Sequence, residues 1–166
     1  MLKIKSILVL ALLGISQSVV SANTHCSHQE VIVFNCNIGK KVVSICASPN
    51  LSAKTGYLQY HFGPIHSPEL VFPSKKIAPH DQVTGGTLTF SGGGGAYLRF
   101  IRNHHRYVVY TAIGRGWGEK AGVNVEKNGH RKANLICRNQ PISELGPDFF
   151  ERAAIKQDPI GFELPE

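Results

Sequence analysis

Tryptophan and methionine occur once each in the 166 residues, and only 17% of the residues are charged. With 42% hydrophobic residues beside so little charge, the chain is not a disordered tail. Past the first 22 residues no apolar run approaches the ~20 residues that span a bilayer. No Cys-x2-Cys pair occurs and the eight histidines are scattered, so the zinc spacings are absent and no metal or cofactor is expected. The chain does not lack glycine. Ten of its 17 glycines fall between Gly85 and Gly122. Interior glycine costs a helix roughly 1 kcal/mol each, which argues against a helix bundle and for many tight turns.

The N-terminus reads as an address. Lys3 and Lys5 precede an apolar run over residues 7–20, and Val20-Ser21-Ala22 places small residues where a signal peptidase cuts. Residues 1–22 are expected to be a signal peptide, leaving 23–166 as a periplasmic or secreted product with no membrane insertion. Asn23-Thr24-His25 before Cys26 lacks the residues of a lipidation box.

Without the first 22 residues the net charge is +5. Residues 99–138 carry nine basic and two acidic side chains, whereas residues 140–166 carry a net −4. A basic face can attract an anionic partner. Nucleic acid is not expected, because no base-stacking motif accompanies the charge.

Cys26, Cys36, Cys46 and Cys137 are an even set, and in an exported chain they imply two disulfides. Three pairings are open. Cys36 and Cys46 flank the turn-like Asn37-Ile38-Gly39-Lys40, and Cys137 closes the last strand-like run, so one bridge must span a long loop.

Along residues 23–140 the pattern is that of strands. Runs at 30–34 and 41–46 read as a hairpin, residues 55–62 alternate, and 69–72 form a short strand stopped by Pro73. Further strands are predicted at 86–90, 96–102, 106–111, 121–127 and 131–137. Asn128-Gly129 between the last two is the strongest hairpin signal. The expectation is an all-β antiparallel barrel or sandwich of about eight strands. Residues 141–166 are expected to add a short helix over 148–156 and a tail lying over the surface or loose.

Few residues invite a catalytic reading. Ser91 precedes four glycines, but the run leads into a strand and lacks the Lys-Ser/Thr of a phosphate loop. It also lacks the Gly-x-Ser-x-Gly of a nucleophile elbow. A wide turn presenting Ser91, Gly92 and bare backbone amides is expected instead. His104 and His105 sit in a turn without an evident partner, although a hydrolase pairing Ser91 with one of them is conceivable chemistry. Glu119 and Glu126 show no sign of converging. Trp117 between two glycines is either a barrel plug or an exposed anchor. Tyr107 and Tyr110 point to opposite sides of one strand, so at most one is expected in the core.

The order Ser91-Gly92…Tyr97, then Tyr107-Val108-Val109-Tyr110-Thr111…Gly114, then Cys137, resembles the bacterial periplasmic lysozyme inhibitor families over residues 87–137. Their motif is Ser-Gly-x-x-Tyr followed by Tyr-x-x-x-Thr-Lys-Gly. Here five residues separate Ser91 from Tyr97 rather than three, and Ala112-Ile113-Gly114 replaces Lys-Gly. The resemblance implies a non-enzymatic, disulfide-closed barrel whose protein partner is a muramidase. Ser91 and Tyr97 would enter the cleft, and the loop around Thr111 and Arg115 would grip its rim, with Tyr107 and Trp117 alongside. An envelope or anionic-glycan binding module using the basic face is the alternative.

Overall fold

A computed structural model describes residues 23–79 and 82–166; the expected signal peptide at 1–22 lies outside the described residues. The strands are β1 (Val31–Ile38), β2 (Lys41–Ala47), β3 (Leu58–Gly63), β4 (Leu70–Phe72), β5 (Val83–Phe90), β6 (Gly93–Arg102), β7 (His105–Gly114), β8 (Gly118–Lys127), β9 (His130–Ile136), β10 (Ile142–Ser143) and β11 (Lys156–Gln157). One helix, α1, spans Pro147–Arg152. Two sheets result, ordered β10-β1-β2-β3-β4 and β11-β5-β6-β7-β8-β9. They are not closed on one another, so the molecule is a sandwich. All pairings are antiparallel except β11 beside β5.

Alternation dictates the core. Leu58, Tyr60 and Phe62 point inward from β3, and meet Leu98 and Phe100 from β6 and Val109 and Tyr107 from β7. The Tyr60 ring lies 5.6 Å from Phe100 and 5.5 Å from Tyr107. Each such buried side chain contributes roughly 1.5–3 kcal/mol. The Asn128-Gly129 turn forms as predicted, with φ of 51° and 78°, the two positive values that a tight hairpin following the sheet twist demands.

The disulfides join Cys26 to Cys46 and Cys36 to Cys137. The hairpin of β1 and β2 is as predicted, yet its two cysteines each take another partner. The second bridge closes a 101-residue separation and ties the first sheet to the end of β9. Two structural disulfides fit an oxidising, exported location. Among the described residues no helix is long and apolar enough to cross a membrane.

The C-terminal residues depart most from expectation. The helix is six residues rather than nine, because Ala154 takes φ 49° and the chain turns out into β11. Phe149 and Ala153 are buried in the main core. The remaining residues lie over the outer face of the second sheet, where Phe162 and Leu164 pack on Tyr97, Val108 and Tyr110. Tyr107 and Tyr110 are therefore both packed, on opposite faces. Only Tyr110 is fully buried, in keeping with the expectation that at most one of the two would be core, and Tyr107 stays half-buried against the main core on the opposite face.

Candidate functional site: the joined hairpin tips

The four-glycine run is not a wide loop. Phe90 pairs with Gly93, so only Ser91 and Gly92 turn the chain, and Gly93, Gly94 and Gly95 belong to β6. A Cβ on Gly93 would run into the Ile113 carbonyl, and one on Gly95 into the Thr111 carbonyl. The glycines thus serve close approach of β6 to β7 rather than a flexible finger.

The neighbouring turn joins β7 to β8 through Arg115-Gly116-Trp117. The Arg115 backbone N–H donates to the Gly92 carbonyl at 2.9 Å, which fuses the two turns into one tip. Trp117 folds back over Gly114, where any Cβ would occupy the space of the indole, and rests 5.6 Å from the Phe90 ring. The Lys120 ammonium stands 5.1 Å over the same indole. Trp117 still exposes 39% of its surface, so it lies at the tip and is not a plug inside the core. Ser91, Gly92 and Arg115 are exposed beside it.

Behind the tip, on the inner face of the sheet, lies a groove of about 430 Å³. Gly94 and Gly95 leave its floor without side chains, Thr111 and Glu119 supply its polar groups, and Leu145 and Pro147 form its far wall. Ile113, 66% exposed, stands on its edge. The residues that composition and spacing did not single out are Phe90, Ile113 and Leu145. Phe90 carries a readable signal, being the large apolar residue immediately before the turn.

Other expected contacts fall elsewhere. Tyr97 is 2% exposed, and its hydroxyl donates to Asp158 Oδ2 at 3.0 Å beneath the C-terminal segment. Burial and the neighbouring carboxylate push its phenol up to about 12. It cannot reach a partner at the tip. Tyr107 lies seven residues back along β7, packed on Tyr60, and does not surround Ser91. Thr111 lines the groove rather than a rim loop.

Ser91 pairs with neither His104 nor His105. Ser91 and His104 sit at opposite ends of the ten-residue β6, about 30 Å apart at ~3.3 Å per residue. Glu119 and Glu126 lie on opposite faces of β8, since their spacing is odd. Among the described residues no group of three or more His, Cys, Asp or Glu is arranged to hold a metal ion. The basic residues do not make one continuous face either. Arg99 is buried against Asp158 at 2.7 Å, and Arg106 meets Glu126 at 3.6 Å. Of the rest, Arg115 and Lys120 belong to the tip, while Arg102, Lys127 and Arg131 crowd the far end of the sheet.

Compared with protein-family models, with curated proteins and with solved structures, the chain matches none.

Proposed function

We propose that this chain is an exported, non-enzymatic inhibitor-type protein that seats its joined β5–β6 and β7–β8 turns in the cleft of a lysozyme-like peptidoglycan hydrolase. One observation carries the reading. The 2.9 Å bond from Arg115 to Gly92 makes two turns into a single rigid projection that holds Ser91, Arg115 and Trp117 outward together. A pre-ordered projection loses little conformational entropy on docking. Trp and Arg are the side chains that most often dominate such contacts. The Ser91 hydroxyl and the Arg115 guanidinium are donors, suited to the paired carboxylates of a glycoside hydrolase. The Ser91-Gly92 and Thr111…Gly114 elements of the resemblance fall on the tip and on the groove behind it. Tyr97 and Tyr107 are not part of the contact.

Export to the periplasm or beyond is supported by the cleavage pattern at Val20-Ser21-Ala22 together with the two disulfides. The test is clearance of a bacterial cell-wall suspension by c-, g- and i-type lysozymes with the purified, disulfide-bonded protein present. Inhibition of at least one type, weakened tenfold or more by Trp117→Ala and by Ser91→Trp, is the expected result. Full activity of all three enzymes, with no heat of binding by calorimetry, overturns the reading.

A further inference from the structure

We infer that a second site, on the outer face of the second sheet, binds a carboxylated saccharide. It is a polar groove of about 400 Å³ between β6–β9 and the C-terminal segment. It stands on observations separate from the tip. Arg99, on its floor, lies six residues along β6 from Gly93, roughly 20 Å at ~3.3 Å per residue.

Two nearly inaccessible side chains line this groove with polar atoms that the protein leaves unmatched. Asn124 is 5% exposed; its amide nitrogen donates to Glu126 Oε1 at 3.1 Å, and its Oδ1 has no donor. Arg99 is 1% exposed. Its Nη2 donates to the Gly161 carbonyl at 2.7 Å, and its Nη1 lies 2.7 Å from Asp158 Oδ2, off the hydrogen-bond axis. Its Nε has no acceptor. An orphaned buried polar group costs roughly 1–3 kcal/mol, so native proteins keep few of them. Here one acceptor and one donor lie under the same groove. Neither atom is open to water, so a ligand hydroxyl would reach them only with a small shift of the C-terminal segment that covers Arg99.

The rim selects among ligands. Arg131 makes no ion pair among the described residues, and Arg106 reaches Glu126 only at 3.6 Å, so both guanidiniums retain donors for a carboxylate. Glu126 and Glu163 stand among them. Those carboxylates, with Asp158 below, repel a compact inorganic anion but accept hydrogen bonds from sugar hydroxyls. Phe162, half-buried on the same wall, offers a flat apolar edge to the C–H face of a pyranose. Interleaved arginine and carboxylate beside an aromatic edge therefore fit a ring that carries both hydroxyls and one negative charge.

The experiment is a 15N-resolved NMR titration of the disulfide-bonded protein with trigalacturonic acid, with maltotriose as the neutral control and sodium sulfate as the bare anion. Trigalacturonate is expected to shift the amides of Gly129, Arg131, Gly161 and Phe162. Arg131→Ala is expected to weaken binding tenfold or more at an unchanged melting temperature. Glu163→Ala is expected to weaken it several-fold, because a hydroxyl acceptor is lost. Simple charge attraction would make that variant bind more tightly. Tighter binding by Glu163→Ala, equal shifts from sulfate or maltotriose, or no shifts at all would each overturn the assignment.

Discussion

Arg99 on β6 and Asp158 in the C-terminal segment form an ion pair at 2.7 Å with both side chains almost wholly out of water. Asp158 also accepts from the Tyr97 hydroxyl at 3.0 Å, from Thr84 at 3.2 Å and from the Ile160 N–H at 3.4 Å. The carboxylate is thereby compensated on several sides, and it fastens the last residues over Tyr97 and Tyr110. Removing one member of a buried pair strands the other charge. Asp158→Ala should lower unfolding free energy by about 3–5 kcal/mol in urea titration. The double change Arg99→Met with Asp158→Leu should lose clearly less, since neither charge is then stranded. Equal losses would mean that the stranded guanidinium is not the source of the cost, which would then lie in the lost bonds from Tyr97 and Thr84.

The two disulfides differ in what they constrain. Cys36–Cys137 closes a separation of 101 residues and Cys26–Cys46 one of 20. On the chain-entropy view the first is worth about 4.7 kcal/mol and the second roughly 3 kcal/mol. Cys36→Ala with Cys137→Ala should therefore shift the urea midpoint further than Cys26→Ala with Cys46→Ala. The opposite order would mean that native packing around Cys26 outweighs the entropy of the denatured chain.

His61 gives the fold an acid limit. Its ring packs 5.9 Å from that of His25, and its Nε2 is buried without a partner. Desolvation holds its pKa below the ordinary 6.5, and His25 and Lys76 act in the same direction against Glu30. The folded state therefore prefers the neutral imidazole. The stability is fully present above pH 6.5, the unfolded value, and is lost as pH falls through the lower folded value. A chemical-denaturation series from pH 7.5 to 5 should show this fall, and His61→Phe should flatten it. A slope unchanged in that variant would assign the effect to another group.

Much of the fold is legible in the sequence. Leu58, Tyr60 and Phe62 alternate with polar residues, and Asn128-Gly129 fixes a turn that few other pairs can make, so period and turn chemistry gave strands and a hairpin. Local pattern could not reveal the roof. Tyr97 read as a surface candidate because the residues that bury it, Asp158 and Phe162, come from some sixty positions later in the chain. The glycine run misled for the same reason. Gly93 and Gly95 look like a loop in isolation, and only the Ile113 and Thr111 carbonyls across from them explain why the strand tolerates no side chain there. At the candidate site, Ser91, Gly92, Arg115 and Trp117 were all nameable from sequence. Their fusion through one backbone hydrogen bond was not.

Trp117 is the sole tryptophan, so the tip reports on itself. Its indole lies across Gly114 in space that a Cβ there would fill. Gly114→Val must push the indole off its seat between Phe90 and Lys120, at the last residue of β7, where the main core is not disturbed. Gly114 is buried beneath the indole, so the variant should still fold but lose roughly 1–3 kcal/mol, as added bulk at a packed position does. Its fluorescence should shift to longer wavelength and quench more readily with acrylamide. If hydrolase inhibition depends on the ordered indole rather than on Trp117 being merely present, Gly114→Val should lose it as fully as Trp117→Ala does. Retained inhibition with a released, quenchable indole would show that Ser91 and Arg115 dock without it.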